Sequence, residues 1–250
     1  MRAPQSVIDS RDLFAAIGFL SRIPVPVDGP WASERGARVA WAYPLAGAVV
    51  GGLLCAIGWL GLGISASFAA AFVLAASVFV TGGLHEDGLA DSADGLWGGW
   101  TAERRLAIMK DSRIGAYGVM ALVLALLLRW LGITAALEAG TWWALIAVPA
   151  LSRAAMVPLM ALPHARPGGV SATVGRPPAA TTFLALVLGA LLMLPLGGVS
   201  VWMFLATGVV MLAVALVAMA KIRGQTGDIL GAVQQLTEIA CWTALAATLG

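Results

Sequence analysis

The chain has 250 residues, of which 60% are hydrophobic and 11% charged, with a formal net charge of +2 and a mean hydropathy of +0.91. A soluble globular domain carries about twice that charged fraction, so composition excludes an ordinary soluble fold. So small a net charge gives no basis for a nucleic-acid partner. An all-α, polytopic transmembrane helical bundle forming a single integral-membrane domain over 1–250 fits best, with the lipid bilayer as its first partner.

The N-terminal segment 1–38 reads as cytoplasmic or interfacial. Asp9 and Asp12 precede a short, interrupted apolar stretch, which is not the form of a signal peptide. Residues 11–22 form a short amphipathic stretch suited to the membrane interface.

Seven candidate spans follow, near 39–63, 66–84, 114–136, 142–162, 181–197, 200–220 and 232–249, which predicts about six or seven membrane helices. The first contains Pro44 and many glycines, suiting a kink or close helix packing. The last opens on Gln234, Gln235, Thr237 and Glu238 and reads equally as a surface or re-entrant helix. Cys55 and Cys241 lie in apolar runs without ligand spacing and read as buried small hydrophobes.

Basic residues alternate between the connections. Arg2, Arg11, Arg22, Arg35 and Arg38 precede the first span. Arg104, Arg105, Lys110 and Arg113 follow the second, Arg166 and Arg176 the fourth, and Lys221 and Arg223 the sixth. The intervening turns contain none, which is the positive-inside pattern. It places the N-terminus and the polar loops in the cytoplasm. Of the ten tryptophans, several fall near span ends as interfacial anchors. Arg129 is expected to snorkel from the outer end of its span, whereas Arg153, near mid-span, is expected to pair with an ion or a ligand.

The polar connection 85–113 holds the densest chemistry. HEDGLADSADG places Asp87, Asp91 and Asp94 at i, i+4 and i+7, so a helix would carry all three on one face. Carboxylates gathered this way need a cation or protons between them. Oxygen donors suit Mg2+, which takes one or two carboxylates while substrate phosphates complete its shell. The next group, MKDSRIGAYG, adds Asp111 as a further carboxylate, with Lys110 and Arg113 placed to hold phosphate oxygens. The late stretch KIRGQTGD, carrying Arg223, Gln225, Thr226 and Asp228, lacks the ending of a P-loop but supplies a third wall of the same phosphate site. There Asp228 would bind metal or orient a hydroxyl. His85 is a candidate metal ligand, base or orienting residue, and His164 reads as solvated. Neither HExxH nor paired cysteines support zinc. Two function classes fit these residues: a metal-dependent enzyme acting on a phosphate, and a transporter or ion-translocating protein with a cytoplasmic cation site.

GGLHEDGLADSADG, IMKDSRIGAYG and RGQTGDILGA, with FLSRIPVP, WAYPLAGAVVGG and LSRAAM, closely resemble the adenosylcobinamide-GDP ribazoletransferase (cobalamin synthase) family, in order and over essentially the whole chain. The resemblance implies a polytopic inner-membrane, Mg2+-dependent transferase. It would join adenosylcobinamide-GDP to alpha-ribazole, or to its 5′-phosphate, and release GMP. In that reaction Asp87, Asp91, Asp94 and Asp111 would hold metal, and Asp91 or Asp94 would act as base. Lys110, Arg113, Arg153 and Arg223 would contact the pyrophosphate. A homo-oligomer, or association with other enzymes of the same pathway, is compatible with this. CDP-alcohol phosphotransferases share a general likeness, but their DGxxAR is absent, because Asp87-Gly88 runs on to Leu89, Ala90, Asp91 and Ser92.

Overall fold

The computed structural model describes residues 6–249, so Arg2 lies outside the described residues. In chain order the helices are α1 (Arg11–Leu20), α2 (Gly29–Arg35), α3 (Tyr43–Gly61), α4 (Ala66–Thr81), α5 (Leu84–Gly98) and α6 (Ala102–Ile108), then α7 (Ala116–Glu138), α8 (Ala144–Met160), α9 (Val170–Val174), α10 (Ala179–Met193), α11 (Val199–Ile222) and α12 (Gly227–Leu249).

Four helical stretches, Gly29–Gly61, Ala116–Glu138, Ala179–Leu196 and Val199–Ile222, are long and apolar enough to cross a membrane. The bent pair α4 and α5 makes a fifth if it counts as one span. The chain is therefore an all-α polytopic bundle, with four or five spans by length and composition where about six or seven were expected from sequence. Two of the differences have physical causes. Helix α8 is apolar but falls among the shorter helices. Helix α12 fails on composition because its polar residues point inward: Gln234, Gln235, Thr237 and Glu238 are all buried as it packs against α5, α7, α8 and α11. It is a central helix of the bundle, which rules out the surface alternative.

Helices α10 and α11 present large apolar side chains outward, among them Phe183, Trp202, Leu205, Val209 and Leu212. An outer face of this kind needs a hydrocarbon surround. Almost all of α8 is buried, between α3, α10 and α12. Helix α1 does lie amphipathically on the bundle. Its buried Asp12 accepts from Arg35 Nε (2.8 Å) and Nη2 (2.7 Å) and from Trp41 Nε1 (2.7 Å), which fixes the N-terminal segment.

The expected acidic loop at 85–113 is instead mostly helical, as α5 and α6. Gly82 and Gly83 both take positive φ (68° and 69°), a conformation that side chains with a Cβ resist. They let the chain turn by 87° between α4 and α5. Helix α5 then crosses α12 where Gly88 meets Gly231; a Cβ on Gly88 would lie 3.1 Å from the Gly231 Cα. This contact brings Asp87 beside Asp228.

Candidate active site: two adjoining cavities over a buried ionic centre

Two cavities open beside α5. The larger, about 870 Å3, is lined by Arg22, Asp87, Asp91, Lys110, Asp111 and Ser112 among others. The smaller, about 340 Å3, is bounded by Tyr43, His85, Asp87, Met156, Arg166, Ser171, Gln225 and Asp228 together with further residues of α1, α9 and α12. Phe19, Leu84 and Asp87 belong to both walls, so the cavities adjoin across the start of α5.

The helical period places Asp87 and Asp91 together on the larger cavity, as expected, but not Asp94. Its carboxylate accepts from the backbone N–H groups of Gly115 (2.7 Å) and Gly118 (2.9 Å). These are donors at the first turn of α7, which otherwise have no intrahelical partner. Asp94 thus caps α7 from outside the helix, and the open acidic face holds two aspartates where three were expected. Neither the Asp87 nor the Asp91 side chain makes a hydrogen bond or salt bridge among the described residues.

Other expected site residues scatter. Lys110 lines the larger cavity. Arg113 faces solvent and is spent on Asp111, at 2.6 Å, and its guanidinium holds the Asp111 carboxyl at about 2, well below the ordinary range. Asp111 itself lines the larger cavity. Arg223 ends α11 in a left-handed conformation (φ 58°) and lines neither cavity. Gln225 and Thr226 do reach the smaller one. Gln225 Oε1 accepts from Ser171 Oγ (2.6 Å), and its Nε2 pairs with His164 Nδ1 (3.0 Å). Thr226 Oγ1 donates to Asp228 Oδ2 (3.0 Å). His164, expected in solvent, is therefore part of the cavity wall.

Sequence reasoning missed Arg166, which reaches Asp228 at 3.3 Å. Its signal was available, because it precedes Pro167-Gly168-Gly169, where both glycines take positive φ and turn the loop back over the cavity. Phe19 and Tyr43, stacked at 6.2 Å between centroids, carried no sequence signal beyond apolarity.

The two arginines within the apolar runs, Arg129 and Arg153, are both buried in the bundle. Arg129 does not snorkel; it is 2% exposed and bridges Glu86 Oε1 (2.8 Å) and Glu238 Oε2 (2.9 Å). Arg153 pairs with Glu238 at 3.4 Å, which agrees with the expected ion pairing but leaves it outside both cavity walls. Gln235 accepts from Arg129 (2.9 Å) and donates to Glu86 (3.0 Å). Gln234 donates to Glu238 (2.6 Å) and to Ser152 (3.0 Å), and Ser77 accepts from Arg129 (3.1 Å). Two arginines meet two glutamates here, so the centre is neutral and tied to α4, α5, α7, α8 and α12.

Among the described residues no group of three or more His, Cys, Asp or Glu side chains is arranged to hold a metal ion. The Asp87–Asp91 pair has the chemistry of a hard-cation site that supplies two carboxylates and relies on ligand oxygens for the rest.

Comparison with known proteins gives a consistent result. The family model described as Cobalamin-5-phosphate synthase matches residues 12–246. A protein of Bradyrhizobium diazoefficiens named adenosylcobinamide-GDP ribazoletransferase is 44% identical over 236 residues, covering 91% of this chain and 90% of its own. Proteins of the same name from Azorhizobium caulinodans (46% over 247 residues, 92% of each chain) and Rhizobium meliloti (44% over 250 residues, 94% and 95%) agree. No solved structure matches. With the family model and these relatives spanning nearly its whole length, the chain belongs to the cobalamin-5-phosphate synthase family.

Proposed function

We propose that the two cavities form one transfer site, in which the activated corrinoid and the ribazole meet at Asp87. The family membership carries the reaction. The chain is a membrane transferase of cobalamin biosynthesis that joins adenosylcobinamide-GDP to alpha-ribazole. The observation that carries the site is the Asp87–Asp91 pair, which lacks any internal cation yet borders a cavity with Lys110 and Arg22 in its wall. Alpha-ribazole 5′-phosphate is the second acceptor compatible with this reading.

In the reaction a ribazole hydroxyl oxygen bonds to the phosphorus attached to cobinamide, and the bond from that phosphorus to GMP breaks. The hydroxyl proton passes to a carboxylate of the Asp87–Asp91 pair. With Asp94 committed to α7, Asp91 is the preferred acceptor of the two expected bases. Lys110 and Arg22 neutralise phosphate oxygens as charge moves onto GMP. Asp87 and Asp91 would hold Mg2+, with substrate oxygens completing its shell, while Asp111 and Asp228 stay paired with Arg113 and Arg166. Bound there, the metal supplies charge neutralisation on the pyrophosphate. Arg153 acts from below, by holding Glu238 and α12 in place, and Arg113 and Arg223 meet substrate outside the two cavities or not at all.

The same reading takes 1–250 as a single integral-membrane domain of the bacterial inner membrane. Helices α3, α4, α7, α8, α10 and α11 cross the bilayer, α12 forms the seventh, inward-facing helix, and the basic connections lie in the cytoplasm. An assay of purified protein in lipid tests the function. GMP and completed corrinoid should appear together, and only with both substrates and a divalent cation present. Transport of a corrinoid across sealed vesicles without covalent turnover would contradict it.

A further inference from the structure

The cavities differ in chemistry as well as size. The larger one is open, and charged groups of both signs line it: Arg22, Lys110, Asp87, Asp91 and Asp111. The smaller one is walled mainly by apolar groups. The stacked Phe19–Tyr43 pair, Met156, Met160 and Leu230 form much of its surface. Flat aromatic ligands pack well against such rings, and methionines adapt to their outline. A small, largely apolar cavity with a few convergent polar groups is the usual form of a small-molecule site.

Its polar groups fall into two sets. Ser171, Gln225 and His164 are bonded in a chain, which leaves their geometry fixed. His85, 2% exposed and in the same wall, has an Nε2 with no hydrogen-bond partner among the described residues. That nitrogen is closed off from the cavity space, so the ring gives the wall its outline rather than a hydrogen bond. Asp87 and Asp228 complete the set with oxygens suited to ribose hydroxyls.

Resting on the transferase reading above, we propose that the smaller cavity is the acceptor subsite. It takes a flat heteroaromatic riboside, with the base against Phe19, Tyr43 and the methionines. The carboxylates of Asp87 and Asp228 hold its polar atoms, and Arg166 stands ready for a 5′-phosphate. The donor pyrophosphate occupies the larger cavity. A corrinoid macrocycle carrying a nucleotide does not fit within about 340 Å3, whereas a single nucleoside does. The shared Asp87 then marks where hydroxyl and phosphorus meet. The half-buried Ala172 of α9, a surface helix remote from the ionic centre, also lines this cavity and provides the probe.

Two variants of the full-length protein in lipid test the assignment. With Ala172→Phe the KM for alpha-ribazole should rise about tenfold or more, while the KM for adenosylcobinamide-GDP stays within about twofold. Lys110→Ala should show the reverse pattern. A rise confined to the KM for the corrinoid substrate in Ala172→Phe would overturn the assignment. Should Ala172→Phe not fold, Ala172→Cys in a Cys55→Ser background gives a direct readout. Alpha-ribazole should slow maleimide labelling of that thiol, and GDP should not. Protection by GDP, or none by alpha-ribazole, overturns the proposal. Failure of the unmodified protein to release GMP with both substrates present would instead indict the transferase reading itself.

Discussion

Helix α5 carries acid into two very different surroundings within a few residues. Glu86 points into the bundle, where Arg129 bridges it to Glu238 and Gln235 adds a second hydrogen bond to its Oε1. Asp87 and Asp91 line a cavity instead, and their carboxylates make no hydrogen bond or salt bridge among the described residues. Buried charge survives only when paired and hydrogen-bonded. The closed centre balances its charge within the chain, whereas the exposed Asp87 and the half-buried Asp91 carry theirs at a cavity wall. Internal pairing accounts for Glu86 as a structural group, and it leaves Asp87 and Asp91 as the acids of α5 that open on a cavity.

Removing charge from the two regions should therefore have opposite effects on stability. The largest expected effect is that of Arg129→Met, which strands Glu86 and leaves Glu238 only its longer pairing with Arg153. It should cost about 3–5 kcal/mol, read as a lowered midpoint of unfolding in detergent or as loss of folded protein. An unchanged midpoint would dissolve the contrast. Asp91→Asn should do the reverse, leaving the fold as stable as before or slightly more so, because one of two unneutralised carboxylates is gone. Its GMP release should nevertheless fall by about a hundredfold or more.

Asp94→Ala sharpens the comparison from between the two regions. Asp94 shares the sequence pattern of the open pair but serves α7, so its loss should cost about 1 kcal/mol, as for a lost helix cap. The activity loss should be smaller than for Asp91→Asn; a loss as deep would return Asp94 to the chemistry. The smallest effect belongs to Arg113→Ala. Without the guanidinium the Asp111 carboxyl rises from about 2 toward the ordinary carboxylate range, still far below neutral pH. Its charge there is unchanged, so rate and unfolding midpoint near pH 7 should stay within error, with any difference confined to acid.

The period of HEDGLADSADG was enough to read a helix face and its carboxylates, and the positions of the apolar runs were enough to read most of the bundle. What escaped depended on partners distant in sequence. Glu86 lies 43 residues from Arg129, and nothing local in ALLLRWLG distinguishes an arginine that snorkels from one that bridges. Asp94 keeps the spacing of its neighbours, and only the placement of α7 diverts it. Helix α12 looked too polar to be central because hydropathy counts side chains without asking which way they face. The cavity walls were the least legible part. His164 and Arg166 belong to a loop whose course is fixed by glycines and by the short backbone pairing of His164 with Gln225.

The most direct measurement follows GMP release and completed corrinoid by the purified protein in lipid, with Mg2+ present and after its removal, for the wild type and for Asp91→Asn. The account predicts transfer by the wild type only with the divalent cation, and none of consequence by the folded variant at any Mg2+ concentration. Undiminished wild-type turnover after metal removal, or wild-type rates in Asp91→Asn, would contradict it.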